Sequence, residues 1–165
     1  MTDERTEAAE ALERITAEER ELVFESFDKA TAWRLGVFLR EAAVPRQLPI
    51  VIGITVAGQR LFHAALDGST PDNDVWLERK TRAVEHFHRS SLGVREQHRA
   101  AGRDYAVDSR LDQNVVAANG GVFPITVTGV GVVGAVGISG LPQVEDHAFV
   151  VDQLRAFLAG PDRAS

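Results

Sequence analysis

The chain has 165 residues, 44% of them hydrophobic, enough for a single domain with its own core. Its net charge of −6, with no basic stripe carrying interleaved aromatics, argues against a nucleic-acid partner. The lack of cysteine excludes thiolate metal sites, a thiolate haem ligand and a cysteine nucleophile.

No run of roughly 18 apolar residues is present, so no membrane partner is expected. The charged N-terminus lacks the apolar stretch of a signal peptide, and a cytoplasmic location is expected. Residues 1–20, rich in Ala, Glu and Arg, read as an acidic tail or an exposed helix. In ELVFES, Leu22 and Phe24 alternate with polar neighbours, as in a short strand. Asp28 suits an N-cap, and the following residues to Ala43 have a helical period that Pro45 stops. On this helix Thr31, Leu35, Phe38 and Ala42 share a face, with Trp33 and Val37 beside it.

The β-branched run LPIVIGITV predicts a strand buried on both faces. Ala57-Gly58-Gln59 turns it into a hairpin with RLFHAAL. Thr70-Pro71 marks the start of a helix reaching about Ser91, with Asp72 and Asp74 near its positive end. Trp76, Lys80, Ala83, Val84 and Phe87 share one face of it, and Asn73 lies two turns before Lys80 on that face. Residues 92–119 read as a short helix and then loop with one helical turn; a connection of that length is often functional.

Half of the 14 glycines lie between Gly120 and Gly140, where backbone must turn sharply or approach something closely. VFPITVT and VGVVGAVGIS predict an antiparallel pair, with Pro124 marking an edge or bulge. Pro142 opens a last helix to about Ala159, with Val144, Ala148, Val151 and Leu158 on its apolar side and Leu154 and Phe157 adjacent. Hairpins joined by helices indicate an α/β (α+β) domain with helices on an antiparallel sheet of about five strands. Gly129, Gly131 and Gly134 spell G-x-G-x-x-G, followed by Asp152. Yet the motif runs into a glycine-rich strand and not into a helix, so no nicotinamide cofactor is expected.

Lys80 stands mid-face on an apolar helix side, where an unpaired ammonium is costly. It either snorkels to water or pairs with a carboxylate in a pocket or subunit contact, with Arg79 beside it. Asp146 and His147 lie at the start of the last helix. The acids complement its dipole, and His147 either packs there or serves as a ligand, a metal ligand included. His86 and His88 would point about 200° apart on a helix and do not chelate.

GGVFPI at Gly120 to Ile125, followed by SGLPQVEDH at Ser139 to His147, resembles the UPF0303 family. That family lies within the wider GlcG/HbpS-like group with the haem-degrading (DUF336-type) domain. LVFESF at Leu22, TAWRLG at Thr31, Leu61-Phe62, GSTPDNDVWLERK at Gly68, and Phe87, Ser90 and Ser91 also match, so the resemblance covers about residues 21–158. It implies a profilin-like three-layer α/β/α fold in one domain over 21–160, followed by a tail at 161–165. It also implies a homo-oligomer, and haem or a related small ligand as partner. The expected role is binding or accessory. The alternatives are an assembly or interaction protein without catalysis and an enzyme on a small organic acid, its carboxylate held by Arg79 or Lys80. Gly120, Gly121, Asp146, His147, Asn73, Arg79 and Lys80 are the candidate ligand-binding residues, with His147 as the candidate metal ligand.

Overall fold

The computed structural model describes residues 2–161; the expected tail at 161–165 lies, beyond Pro161, outside the described residues. The element order is α1 (Thr2–Glu21), α2 (Lys29–Ala43), β1 (Val51–Val56), β2 (Gln59–Ala65), α3 (Pro71–Phe87), α4 (Ser91–Ala100), α5 (Tyr105–Asp108), β3 (Val122–Val127), β4 (Gly131–Ser139) and α6 (Gln143–Ala159). No helix among the described residues is long and apolar enough to cross a membrane.

The strands form one antiparallel sheet in the order β2-β1-β4-β3. β1 and β4 are central, and their β-branched residues are buried on both sides. Alternation splits them between two cores. Ile52, Ile54, Val136 and Ile138 join Phe123 and Ile125 of β3 beneath α2 and α6. Val51, Ala135 and Val122 face the other way, against Leu77 and Val84 of α3. The result is the expected three-layer α/β/α arrangement, with α1 packed outside on α4.

The sheet has four strands, not the five expected. The Leu22–Phe24 stretch contributes only an isolated parallel bridge, in which Phe24 N donates to Thr126 O (2.8 Å) and Thr128 N to Phe24 O (2.8 Å). β3 ends just there, and the chain leaves for α2, whose N-cap Asp28 accepts from Thr31 N at 2.7 Å. The helix expected to reach Ser91 stops at Phe87. His88 takes a left-handed conformation (φ 56°), and Ser90 caps a new helix by accepting from Gly93 N.

Two helix faces differ from expectation. α2 buries Thr31, Ala32, Leu35, Gly36, Leu39 and Ala43, which leaves Trp33 exposed beside Phe62. α6 buries Phe149, Val150, Val151, Leu154 and Phe157 and exposes Val144.

Thr2–Glu21 form a helix, not a solvated tail. Ala8 and Ile15 are buried. Near its C-terminal end Glu18 meets His147, Glu19 accepts from Arg89 Nη2 (3.0 Å) and Ser90 N (2.8 Å), and Glu21 accepts from Arg155 Nε (2.9 Å). Truncating Ile15 to Ala therefore removes core, and we expect a loss of about 2–5 kcal/mol in urea denaturation; an unchanged midpoint would mean that α1 is not docked.

Candidate functional site

Leu77, Ala83 and Val84 anchor α3 on the sheet, and Lys80, three residues after Leu77 and four before Val84, falls on the same face. Its ammonium arrives where three other segments end. Nζ donates to Gly120 O (3.1 Å), just before β3, to Ile138 O (2.8 Å) near the end of β4, and to Asp146 Oδ2 (3.1 Å) in the first turn of α6. An ammonium has three N–H donors, so every one is occupied. The other oxygen of Asp146, Oδ1, accepts from Leu141 N at 3.0 Å.

Lys80 and Asp146 are each 2% exposed. Burial pulls the Lys80 ammonium below its ordinary 10.5, and the Asp146 carboxylate opposes that shift. Burial likewise pushes Asp146 above 3.8 against the pull of Lys80. Only the ammonium can serve all three acceptors at once, so the geometry is that of a charged pair. Gly121 is required behind it: its φ is +132°, and a Cβ there would stand 2.5 Å from Lys80 Nζ.

This ion pair forms the floor of a cleft of about 280 Å³. Asp72, Asn73 and Trp76 of α3 line one side; Asn119, Gly120, Ser139, Gly140, Leu141 and Gln143 line the rest. Thr70 N donates to Asn73 Oδ1 (2.8 Å) in a capping box that opens α3. Gly120 N donates to Gln143 Oε1 (3.1 Å).

Of the expected site residues, Gly120, Asn73, Lys80 and Asp146 come together here. Gly121 lies behind the floor. Arg79 does not line the cleft: its guanidinium sits over the Trp76 ring, 5.0 Å from the centroid, while Nε donates to Asn114 O (3.0 Å). His147 is separated from its neighbour, because adjacent helix positions diverge by about 100°. It is buried with Nε2 2.8 Å from Glu18 Oε2 and its ring 6.1 Å from that of Phe123.

Trp76, Asn119, Ser139 and Gln143 were not among the expected site residues. Trp76 was legible as a site residue, since it lies between Asn73 and Lys80 at spacings of three and four. Ser139, the last residue of a strand, carries no local signal of which way its hydroxyl faces.

Among the described residues no group of three or more His, Cys, Asp and Glu is placed to hold a metal ion. No histidine, tyrosine or methionine among the described residues lines the cleft. Gly129 and Gly131 sit in and after the β3–β4 turn and Gly134 lies within β4, so G-x-G-x-x-G belongs to a hairpin.

A family model described as haem-degrading protein HbpS-like matches residues 27–155, and the chain belongs to that family, in its UPF0303 branch. A UPF0303 protein of Streptomyces coelicolor is 54% identical over 141 residues, covering 86% of this chain and 89% of its own. The crystal structure of Ybr137w protein aligns with a TM-score of 0.82 at 28% identity, over 90% of this chain and 88% of that one. A crystal structure of a PduOC:heme complex aligns at a TM-score of 0.60 and 21% identity, over 81% and 95%, a likeness of fold.

The buried pair yields a prediction with a sign. Lys80→Met leaves a buried carboxylate with no counter-charge and two carbonyls with no donor, which costs about 3–5 kcal/mol. With the ammonium gone, nothing from Lys80 offsets the burial that raises Asp146. A raised carboxyl contributes its stability below the unfolded value of 3.8 and loses it as pH rises through the folded value. The deficit is therefore largest at neutral pH and narrows toward pH 4 in urea titrations. In a double-mutant cycle, adding Asp146→Leu recovers part of the loss; additive losses would show that the two groups do not act as a pair.

Proposed function

We propose that the protein is an accessory binding protein of the haem-degrading family that holds a small molecule in the cleft above Lys80 and Asp146. The observation that carries this reading is the cleft itself. It has a buried, fully paired ionic floor and an aromatic wall, with amide and hydroxyl groups around them. No nucleophile–base pair is among the residues that line it.

A haem-related role is supported by the family and by the haem complex among the structures of like fold. The cleft's residues do not fit an iron-ligated haem. They offer no imidazole, thiolate, thioether or phenol, and the candidate His147 is engaged with Glu18 instead. Recognition in this reading rests on stacking and hydrogen bonds. An enzyme gripping an organic acid is disfavoured, because Lys80 has no donor left for a substrate carboxylate. At 2% exposure Lys80 also offers almost no surface to a subunit contact, which weighs against the assembly alternative.

Haemin titration followed at the Soret band, with mass spectrometry of any small molecule retained through purification, tests this function. We expect saturable binding that Trp76→Ala weakens and His147→Ala leaves unchanged. Loss of the Soret shift in His147→Ala would restore the imidazole reading; no saturable haemin binding together with no retained molecule would end the binding role.

The protein acts, in the same proposal, as a homo-oligomer. Support comes from the α2 ridge, where Trp33 is 62% exposed next to the half-buried Val37 and Phe38. Light scattering should give a multiple of the 18.0 kDa chain mass, and Trp33→Glu should shift it toward the single-chain value. A wild-type mass of one chain would refute assembly.

A further inference from the structure

We infer that the cleft is built for an uncharged planar ring that carries carbonyl-type acceptors, such as a cyclic imide or lactam, and not for a carboxylate or phosphate. This rests on the cleft being the ligand site and specifies what fills it.

Charge comes first. The only ammonium at the cleft is Lys80, and its three N–H groups are held by Gly120 O, Ile138 O and Asp146 Oδ2. The pair is neutral as a unit. The remaining charged side chain in the lining is Asp72, exposed at the rim and negative. An anion entering the cleft would lose its hydration, find no free cation and meet Asp72.

Next come the hydrogen-bonding groups. Backbone donors fix which end of two side-chain amides faces inward. Thr70 N holds Asn73 Oδ1 and Gly120 N holds Gln143 Oε1, so in each case the NH2 group remains without a partner among the described residues. Ser139 is only 4% exposed and lines the cleft, and its hydroxyl has no partner among the described residues either. No buried side-chain nitrogen or oxygen among the described residues lacks a partner, so this hydroxyl is open to the cleft and available to a ligand. The Asn73 and Gln143 amides thus turn donors to the cleft, which suit carbonyl oxygens, while Asp72 and Asn119 keep acceptors for the N–H of an imide or lactam.

Shape narrows the choice further. Trp76 supplies a flat wall, with the Arg79 guanidinium over its ring. At about 280 Å³ the space lies just below the usual range of roughly 300–1,000 Å³ for ligand pockets. A ring system of a few fused rings suits it; a whole tetrapyrrole would not be enclosed, so haemin would enter only by one edge of its macrocycle with its propionates left in water.

Saturation-transfer NMR on the full chain with uracil, hypoxanthine and lumichrome, each set against orotate, tests the inference. Orotate is uracil with an added carboxylate. We expect at least one of the three uncharged rings to bind saturably, and orotate to bind more weakly than uracil. Ser139→Ala should weaken the bound ring about two- to tenfold, the value of one hydrogen bond. Its urea midpoint should not change, since the hydroxyl holds nothing in the protein. Trp76→Ala should abolish binding. Orotate binding as well as uracil, no binding by any of the three, or a Ser139→Ala affinity equal to wild type would each overturn the ligand class. If the three rings fail while haemin or a retained molecule still binds in a Trp76-dependent way, the class is wrong and the cleft remains the site. If those fail as well, the binding role falls with it.

Discussion

The Lys80–Asp146 pair is the contact on which the geometry of the site depends. One ammonium reaches across 40, 58 and 66 residues of sequence to Gly120, Ile138 and Asp146. It thereby ties the middle of α3 to the approach to β3, the end of β4 and the start of α6. Such a buried pair is not itself a source of large net stability, because desolvation offsets the attraction between the charges. Its effect is on specificity. Any shift of α3 along the sheet would strand a charge in the interior, so the register of the helix over the strands is set by the position of one side chain.

By the same logic, the ammonium and the carboxylate beneath the cleft are both spent within the protein. The charges satisfy each other and the local backbone. What faces the cleft is the remainder: an indole, a serine hydroxyl, the Asp72 carboxylate at the rim and three amide groups, two of whose oxygens are already held by the α3 cap and by Gly120. In the proposed site recognition is left to stacking and neutral hydrogen bonds, which differ from an ion pair in being largely insensitive to ionic strength.

On the side of α6 turned toward α1, polar contacts do a different job. Glu18, Glu19 and Glu21 connect α1 to His147, to Arg89 and Ser90, and to Arg155. Two of these links involve partly buried groups, and the Arg155 link is exposed. Exposed ion pairs contribute little by themselves, so the docking of α1 rests also on Ala8 and Ile15, the two residues it buries most fully. His147 is thereby part of the seam between α1 and α6 and faces away from the cleft that its neighbour Asp146 floors.

Much of this architecture is legible in the amino-acid sequence because it depends on local chemistry. β-branched runs mark the strands of both hairpins, while Asp28, Thr70-Pro71 and Pro142 mark helix starts. The spacing of Lys80 from Leu77, Ala83 and Val84 places an ammonium on an apolar face and demands a partner for it. Even the divergence of Asp146 and His147 follows from helical geometry alone. The acidic N-terminal stretch was ambiguous, since two buried apolar residues among many charges form no clear stripe. Only tertiary structure decided that it docks, that Leu22–Phe24 makes a single bridge instead of a strand, and that Ser139 faces the cleft. It also chose the partners of Lys80. Two of them are main-chain carbonyls, which every residue possesses, so no residue type announces which of them will be left needing a donor once the sheet has formed.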